Sequence, residues 1–187
     1  MKHKTLIFIF LIFLISCSNT QNSKKSDWTI LEIKEKNCEI SFPFNTYVVH
    51  KEEYYRKITG KIYSYEVDLN TQKLDDENLG YKITIYDYPE FNFYETDSTI
   101  DEFLNGTAES LLMGFNATGS AYKKININGY PGKELIYYMA SNGVYISTRM
   151  YIIDGKLYNL FVFTDKNKMY NKSITGFFNS FKIIDMP

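Results

Sequence analysis

The sequence predicts an α+β domain built on an antiparallel sheet, and two observations carry that expectation. Three turn pairs, Asn128-Gly129, Asn142-Gly143 and Asp154-Gly155, punctuate apolar runs between residues 122 and 164. Such pairs tolerate the positive φ that type I′ turns require, so each predicts a two-residue hairpin and together they predict a four-strand meander in the C-terminal half. Two other stretches, residues 99–116 and 168–180, carry apolar side chains at three- and four-residue spacing, the mark of amphipathic helices. Strands and helices come in blocks, so the helices are expected to lid an antiparallel sheet.

The turns also predict a register. Around Asp154-Gly155, Ile152 should face Leu157, Met150 Asn159, Thr148 Phe161 and Ile146 Phe163. Around Asn142-Gly143, Met139 should join Ile146, Tyr137 Thr148 and Leu135 Met150. Side chains alternate across a strand, so these residues share one largely apolar face. The other face then carries Ile136, Arg149 and Leu160 in one row and Glu134, Tyr151 and Tyr158 in the next. There Glu134 sits opposite Tyr151 and diagonal to Arg149, within reach of a cross-strand ion pair, and Arg149 can stack on a tyrosine ring. Glu134, Arg149, Tyr151 and Tyr158 are thus the candidate binding residues. A guanidinium framed by rings suits a carboxylate, phosphate or sugar, and equally suits a charge satisfied beneath a helix.

In chain order, residues 1–16 read as a targeting segment. Lys2 and Lys4 precede an apolar run of ten residues, 6–15, too short for a span of about 20 and matching a secretory signal. Leu14-Ile15-Ser16-Cys17 resembles the lipobox of bacterial lipoproteins, which implies acylation of Cys17, palmitate included, and loss of residues 1–16. Several acyl chains, at about 0.8 kcal/mol per buried CH₂, hold a chain on a membrane almost permanently. Ser18 is not the aspartate that retains some lipoproteins in the inner membrane, so the outer membrane is the expected address. Residues 17–27 form the lipidated cysteine and a polar tether. Nine residues, 18–26, reach at most about 30 Å.

Residues 28–187 are expected to form one domain. Removing residues 1–16 from 187 leaves 171, enough for a real core. Of 21 basic side chains, loss of Lys2 and Lys4 leaves 19 against 22 acidic, a balance with no electrostatic case for nucleic acid. With Cys17 acylated, Cys38 has no disulfide partner and reads as a small buried hydrophobe.

Residues 28–35 alternate as a half-buried strand. Residues 38–42 form a short strand that Pro43 stops. Residues 43–57 have weak periodicity and read as a loop or helical turn. Residues 61–69 and 81–88, rich in Tyr, Ile and Val, are strands. The polar loop between them holds Asp75, Asp76 and Glu77, without the alternating oxygens and central glycine of an EF-hand, so no metal is expected. Phe91, Phe93 and Tyr94 should fold under a neighbouring edge. In the first helix, Ile100, Phe103, Leu104, Thr107, Ala108, Leu111 and Phe115 make the stripe, with Thr99 and Glu102 as a capping box. In the second, the stripe is Tyr170, Ile174, Phe177, Phe178 and Phe181.

The chain resembles the PsbP-like fold, an α/β/α sandwich shared by a photosystem II extrinsic subunit, a Ran-binding nuclear-import factor and many small bacterial lipoproteins. The likeness rests on Ile40-Ser41-Phe42-Pro43 and on Ile127-Asn128-Gly129-Tyr130-Pro131-Gly132-Lys133-Glu134. Arg149-Met150-Tyr151, Lys156-Leu157-Tyr158 and Phe178-Asn179-Ser180-Phe181 add to it. It implies the antiparallel sheet flanked by helices on both sides, and little function, because its members share a scaffold and not an active site.

For chemistry the signals are sparse. His50 is the only histidine beyond the targeting segment, and no G-x-S-x-G elbow, Walker loop or dinucleotide fingerprint occurs. Zinc sites lack ligands, and no cofactor is expected. The sequence reading is therefore a noncatalytic, lipid-anchored binding module of the bacterial cell envelope. It would meet the membrane through Cys17 and an envelope protein through its surface. The alternative is a carrier of a small hydrophobic or lipid ligand between sheet and helix, and a third possibility is an unrecognised hydrolase with perturbed carboxylates.

Overall fold

The computed structural model describes residues 28–43, 47–57, 59–70, 77–93 and 97–184. The targeting segment, Cys17, the tether, Asp75, Asp76 and Tyr94 lie outside the described residues. Among the described residues, ten strands and two helices run in the order β1 (Thr29–Ile33), β2 (Cys38–Phe42), β3 (Val48–Arg56), β4 (Gly60–Asn70), β5 (Gly80–Asp87), α1 (Asp97–Gly114), β6 (Ala117–Ile127), β7 (Tyr130–Met139), β8 (Val144–Ile153), β9 (Lys156–Asp165), α2 (Lys172–Ser180) and β10 (Lys182–Ile183). Seven strands make one antiparallel sheet in the order β3-β4-β5-β9-β8-β7-β6, and β1-β2-β10 make a second, smaller one.

The Asp154-Gly155 hairpin has the register its sequence predicts, Ile152 against Leu157 and Ile146 against Phe163. Both central residues are left-handed, Asp154 at φ 47 and Gly155 at φ 74, as are Asn128 at φ 51 and Gly129 at φ 89, so these two are tight primed turns. The middle turn differs. Residues 140–143 form a four-residue loop in which the amides of Asn142 and Gly143 both donate to the Met139 carbonyl, at 3.4 and 3.0 Å, and only Gly143 takes positive φ. Met139 therefore pairs with Val144, Tyr137 with Ile146, Leu135 with Thr148 and Lys133 with Met150. The predicted β7–β8 register is off by two residues. A slip of two returns each side chain to the same face, so the core assignment survives while the partners change.

Residues 43–57 do not form a loop or helical turn. They contain β3, whose side chains are almost all exposed, so no buried alternation marks it in the sequence. α1 begins at Asp97, which places Thr99 inside the helix and not at its cap. α2 begins later than expected. Asn171 caps it by accepting from the Ile174 amide at 3.0 Å, and a 3-10 turn, Lys166–Lys168, precedes it. Tyr170 consequently leaves the predicted stripe and is 80% exposed.

Each face of the large sheet has its own apolar cluster. On one face Ile100, Leu104 and Ala108 of α1 pack over Leu135, Tyr137, Ile146, Met150 and Phe161. Phe93 is fully buried in the same cluster and meets Phe91, Tyr88 and Phe103 edge-on, so Phe91 and Phe93 fold under the edge as expected. On the other face α2 and the small sheet cover Tyr65, Val67, Tyr81, Ile83, Tyr158 and Val162. The sheet is thus filled on both sides. Among the described residues no helix is long and apolar enough to cross a membrane.

Candidate functional site: a polar cleft at one end of the sheet

In an antiparallel run alternate turns return to the same end, so the Asn128 and Asp154 turns are neighbours. The link between β1 and β2 and the segment at β10 reach that end too, where the Ile184 amide donates to the Asn37 carbonyl at 2.9 Å. Together Asn37, Asn128, Tyr130, Asp154, Lys156 and Tyr158 line a cleft of about 460 Å³. The Tyr130 hydroxyl donates to Asp154 Oδ1 at 3.0 Å, and the Tyr158 hydroxyl donates to the Lys36 carbonyl at 2.7 Å. Lys36 lies 3.7 Å from Asp87 in an ion pair behind it. Burial, with Cys38, Asp154 and Asp87 near, pushes the Tyr158 phenol well above the usual range. It stays a neutral donor.

The predicted candidates divide between this cleft and a neighbouring bolt. Tyr158 lines the cleft. Glu134 and Arg149 are brought together as expected but stand directly across from each other, a correction that follows from the two-residue shift. Tyr151 instead faces Gly132 and Tyr158. Arg149 Nε donates to Glu134 Oε2 at 2.5 Å and Nη1 to Asn179 Oδ1 at 3.3 Å. Its guanidinium carbon sits 4.9 Å from the centre of the Phe178 ring. α2 thus caps the pair, with the Nε and Nη1 donors engaged by Glu134 and Asn179. Tyr151 stacks on Phe181 at 5.9 Å, and Tyr158 tilts against the same ring at 5.5 Å. Burial raises the Tyr151 phenol, partly offset by Arg149. Gly132 lies beneath the Tyr151 ring, in a space that a Cβ would overfill.

This arrangement makes the Glu134–Arg149 pair a fastener for α2. Arg149→Ala should cost about 1–3 kcal/mol, the value of a charge-assisted contact whose partner is left partly buried. In a double-mutant cycle with Glu134→Ala the losses should be clearly less than additive. Urea titration of the four proteins reads both numbers.

Cys38 is fully buried in β2, and burial pushes its thiol up to about 12, with Lys36 opposing weakly. It should resist iodoacetamide at pH 8 in the native protein and react once urea exposes it, as mass spectrometry would show. Among the described residues no group of three His, Cys, Asp or Glu is placed to hold a metal ion.

Sequence reasoning did not find the cleft, because its walls come from four separated segments. One signal was present: Asn128 and Asp154 were both identified as turn residues, and alternate turns share an end. No protein-family model matches the chain, and no curated protein is similar to it in sequence. Among solved structures, the solution structure of cyanobacterial PsbP (CyanoP) from Synechocystis sp. PCC 6803 matches with a TM-score of 0.54 at 10% identity. The match covers 91% of this chain and 98% of that one. The fold is PsbP-like. A crystal structure of a Pseudomonas aeruginosa protein of unknown function matches at a TM-score of 0.32 and 10% identity over 76% of this chain and 85% of that one, too distant to carry an argument. At such identities the PsbP-like architecture is shared and residue roles do not transfer.

Proposed function

We propose that this chain is a lipid-anchored, noncatalytic binding module of the bacterial cell envelope, a PsbP-like α/β/α sandwich. It acts through protein contacts made at the polar cleft. Its anchor is acylated Cys17, and its address is the outer membrane. One observation carries the reading: both faces of the sheet are filled by large side chains, which leaves a partner to be taken at the end of the sheet. The cleft offers amides, phenols, one carboxylate and the Lys156 ammonium, a set suited to a polar loop of a protein surface. The buried thiol of Cys38 supports the noncatalytic part, since a thiol raised to about 12 is no nucleophile at neutral pH.

A photo-reactive residue at Asn128 or Lys156, irradiated in intact cells, should capture a discrete envelope protein that the same residue at Tyr55 does not. Equal capture at all three positions, or none at the first two, overturns the reading. The carrier of a hydrophobic or lipid ligand has one observation in its favour. A groove of about 310 Å³ at the opposite end of the sheet has Leu69, Leu79, Phe115, Met139, Val144 and Phe163 in its walls. It opens at the rim beyond the α1 C-terminus, and the space between sheet and helix is occupied by side chains.

A further inference from the structure

The exposed apolar side chains are unevenly placed. Four of the seven large ones among the described residues are Val48, Val49, Met113 and Tyr170, exposed 56, 40, 75 and 80%, and all belong to the end of the sheet opposite the polar cleft. Val48 opens β3 and pairs with Asp68 at the close of β4. Met113 lies in the last turn of α1, and Phe115 just beyond it lies 6.3 Å from Phe163 at the close of β9. Tyr170 precedes α2, and its neighbour Asn171 exchanges hydrogen bonds with Asn78 just before β5. The apolar groove of about 310 Å³ opens at the same end.

The chain enters the domain there as well. The Trp28 ring meets Tyr81, the second residue of β5, at 5.9 Å. A tether that reaches at most about 30 Å therefore delivers the domain to the anchor with this end foremost. Lys166, Lys168 and Lys172 flank Tyr170 and are exposed. Long lysines beside an exposed tyrosine and methionine can lay their stems on the acyl boundary and keep their charges among headgroups. Asp68, Glu77 and Asp165 balance these cations locally, so apolar contact would hold the end down and charge would not.

We infer that the end of the domain bearing Val48, Val49, Met113 and Tyr170 lies against the lipid bilayer surface and orients the polar cleft away from it. This rests on the anchoring read from Cys17. The apolar area is small and gives weak adhesion alone, but a tether makes the contact intramolecular and raises its effective concentration. The patch orients a chain that the lipid already holds.

The test is amide hydrogen exchange of the mature chain, residues 17–187, on vesicles of phosphatidylethanolamine and phosphatidylglycerol. One sample is the chain as purified from cells. In a second, Cys17 is coupled chemically to a maleimide lipid, Cys38 being protected by burial. Exchange over residues 48–49, 110–113 and 166–172 should slow on vesicles relative to detergent, and exchange over residues 126–130 and 152–158 should not. Tyr170→Glu with Met113→Glu should abolish that slowing while the chain stays on the vesicles. No slowing in the coupled chain, equal slowing at both ends, or slowing that survives the double variant would overturn the inference. Failure of the anchoring reading shows separately, as an unacylated Cys17 in the chain purified from cells beside normal protection in the coupled chain.

Discussion

Phe177→Ala is expected to remove about 3–5 kcal/mol of folding stability, the range for truncating a buried phenylalanine. In a domain of this size that lowers the melting temperature by roughly 10 °C, at about 2–4 °C per kcal/mol. Phe177 is fully buried, with its ring 5.5 Å from Phe42, 5.1 Å from Tyr81 and 5.8 Å from Phe178. It therefore joins three parts: α2, the small sheet through β2, and the large sheet through β5. α2 has nine residues, too few to be helical alone, so its order depends on this docking. Gly176 beside it faces the Trp28 ring. Urea unfolding measures the loss. A change below about 1 kcal/mol would mean that the helix does not close the sheet.

The largest functional effect is expected from Cys17→Ser. A serine cannot form the thioether, so on the proposed anchoring no acyl chains would be added. The patch around Tyr170 is too small to retain the domain by itself, and a single acyl chain is already marginal. The variant should move from the membrane fraction to the soluble envelope fraction almost completely, while the purified domain keeps its melting temperature. Retention on membranes after a high-salt wash would refute the anchor.

Much of the fold was legible because its signals are local. A primed turn fixes its own register, so Asp154-Gly155 set the β8–β9 pairing correctly from four residues. The stripe of α1 was legible for the same reason, since Ile100, Leu104 and Ala108 recur every four residues and all become buried. What failed depended on context. Asn142-Gly143 has the same composition as the other pairs, yet it closes a four-residue loop, and turn type there is decided by the Met139 carbonyl accepting two amides. β3 has no apolar alternation because it is an edge strand exposed on both faces. β10 has two residues and exists only because β2 is there to pair with it. Tyr170 fits the helical spacing of α2 and is excluded by the Asn171 cap, a hydrogen bond that periodicity does not see.

The candidate site shows the same division. Glu134 and Arg149 were found because cross-strand neighbours follow from register even when it is off by two. Their role was not legible, since Phe178 and Asn179 arrive from a helix thirty residues on. The cleft was hidden because turn residues are chosen for backbone conformation, and their side chains become a wall only when the topology stacks two turns.

Native mass spectrometry of the chain extracted from its own membranes in mild detergent tests the central claim most directly. The account predicts residues 17–187 carrying covalent acyl groups on Cys17 and no apolar molecule that leaves on denaturation. A chain that retains residues 1–16 or bears no acyl mass, or one that carries a stoichiometric noncovalent lipid, would contradict it.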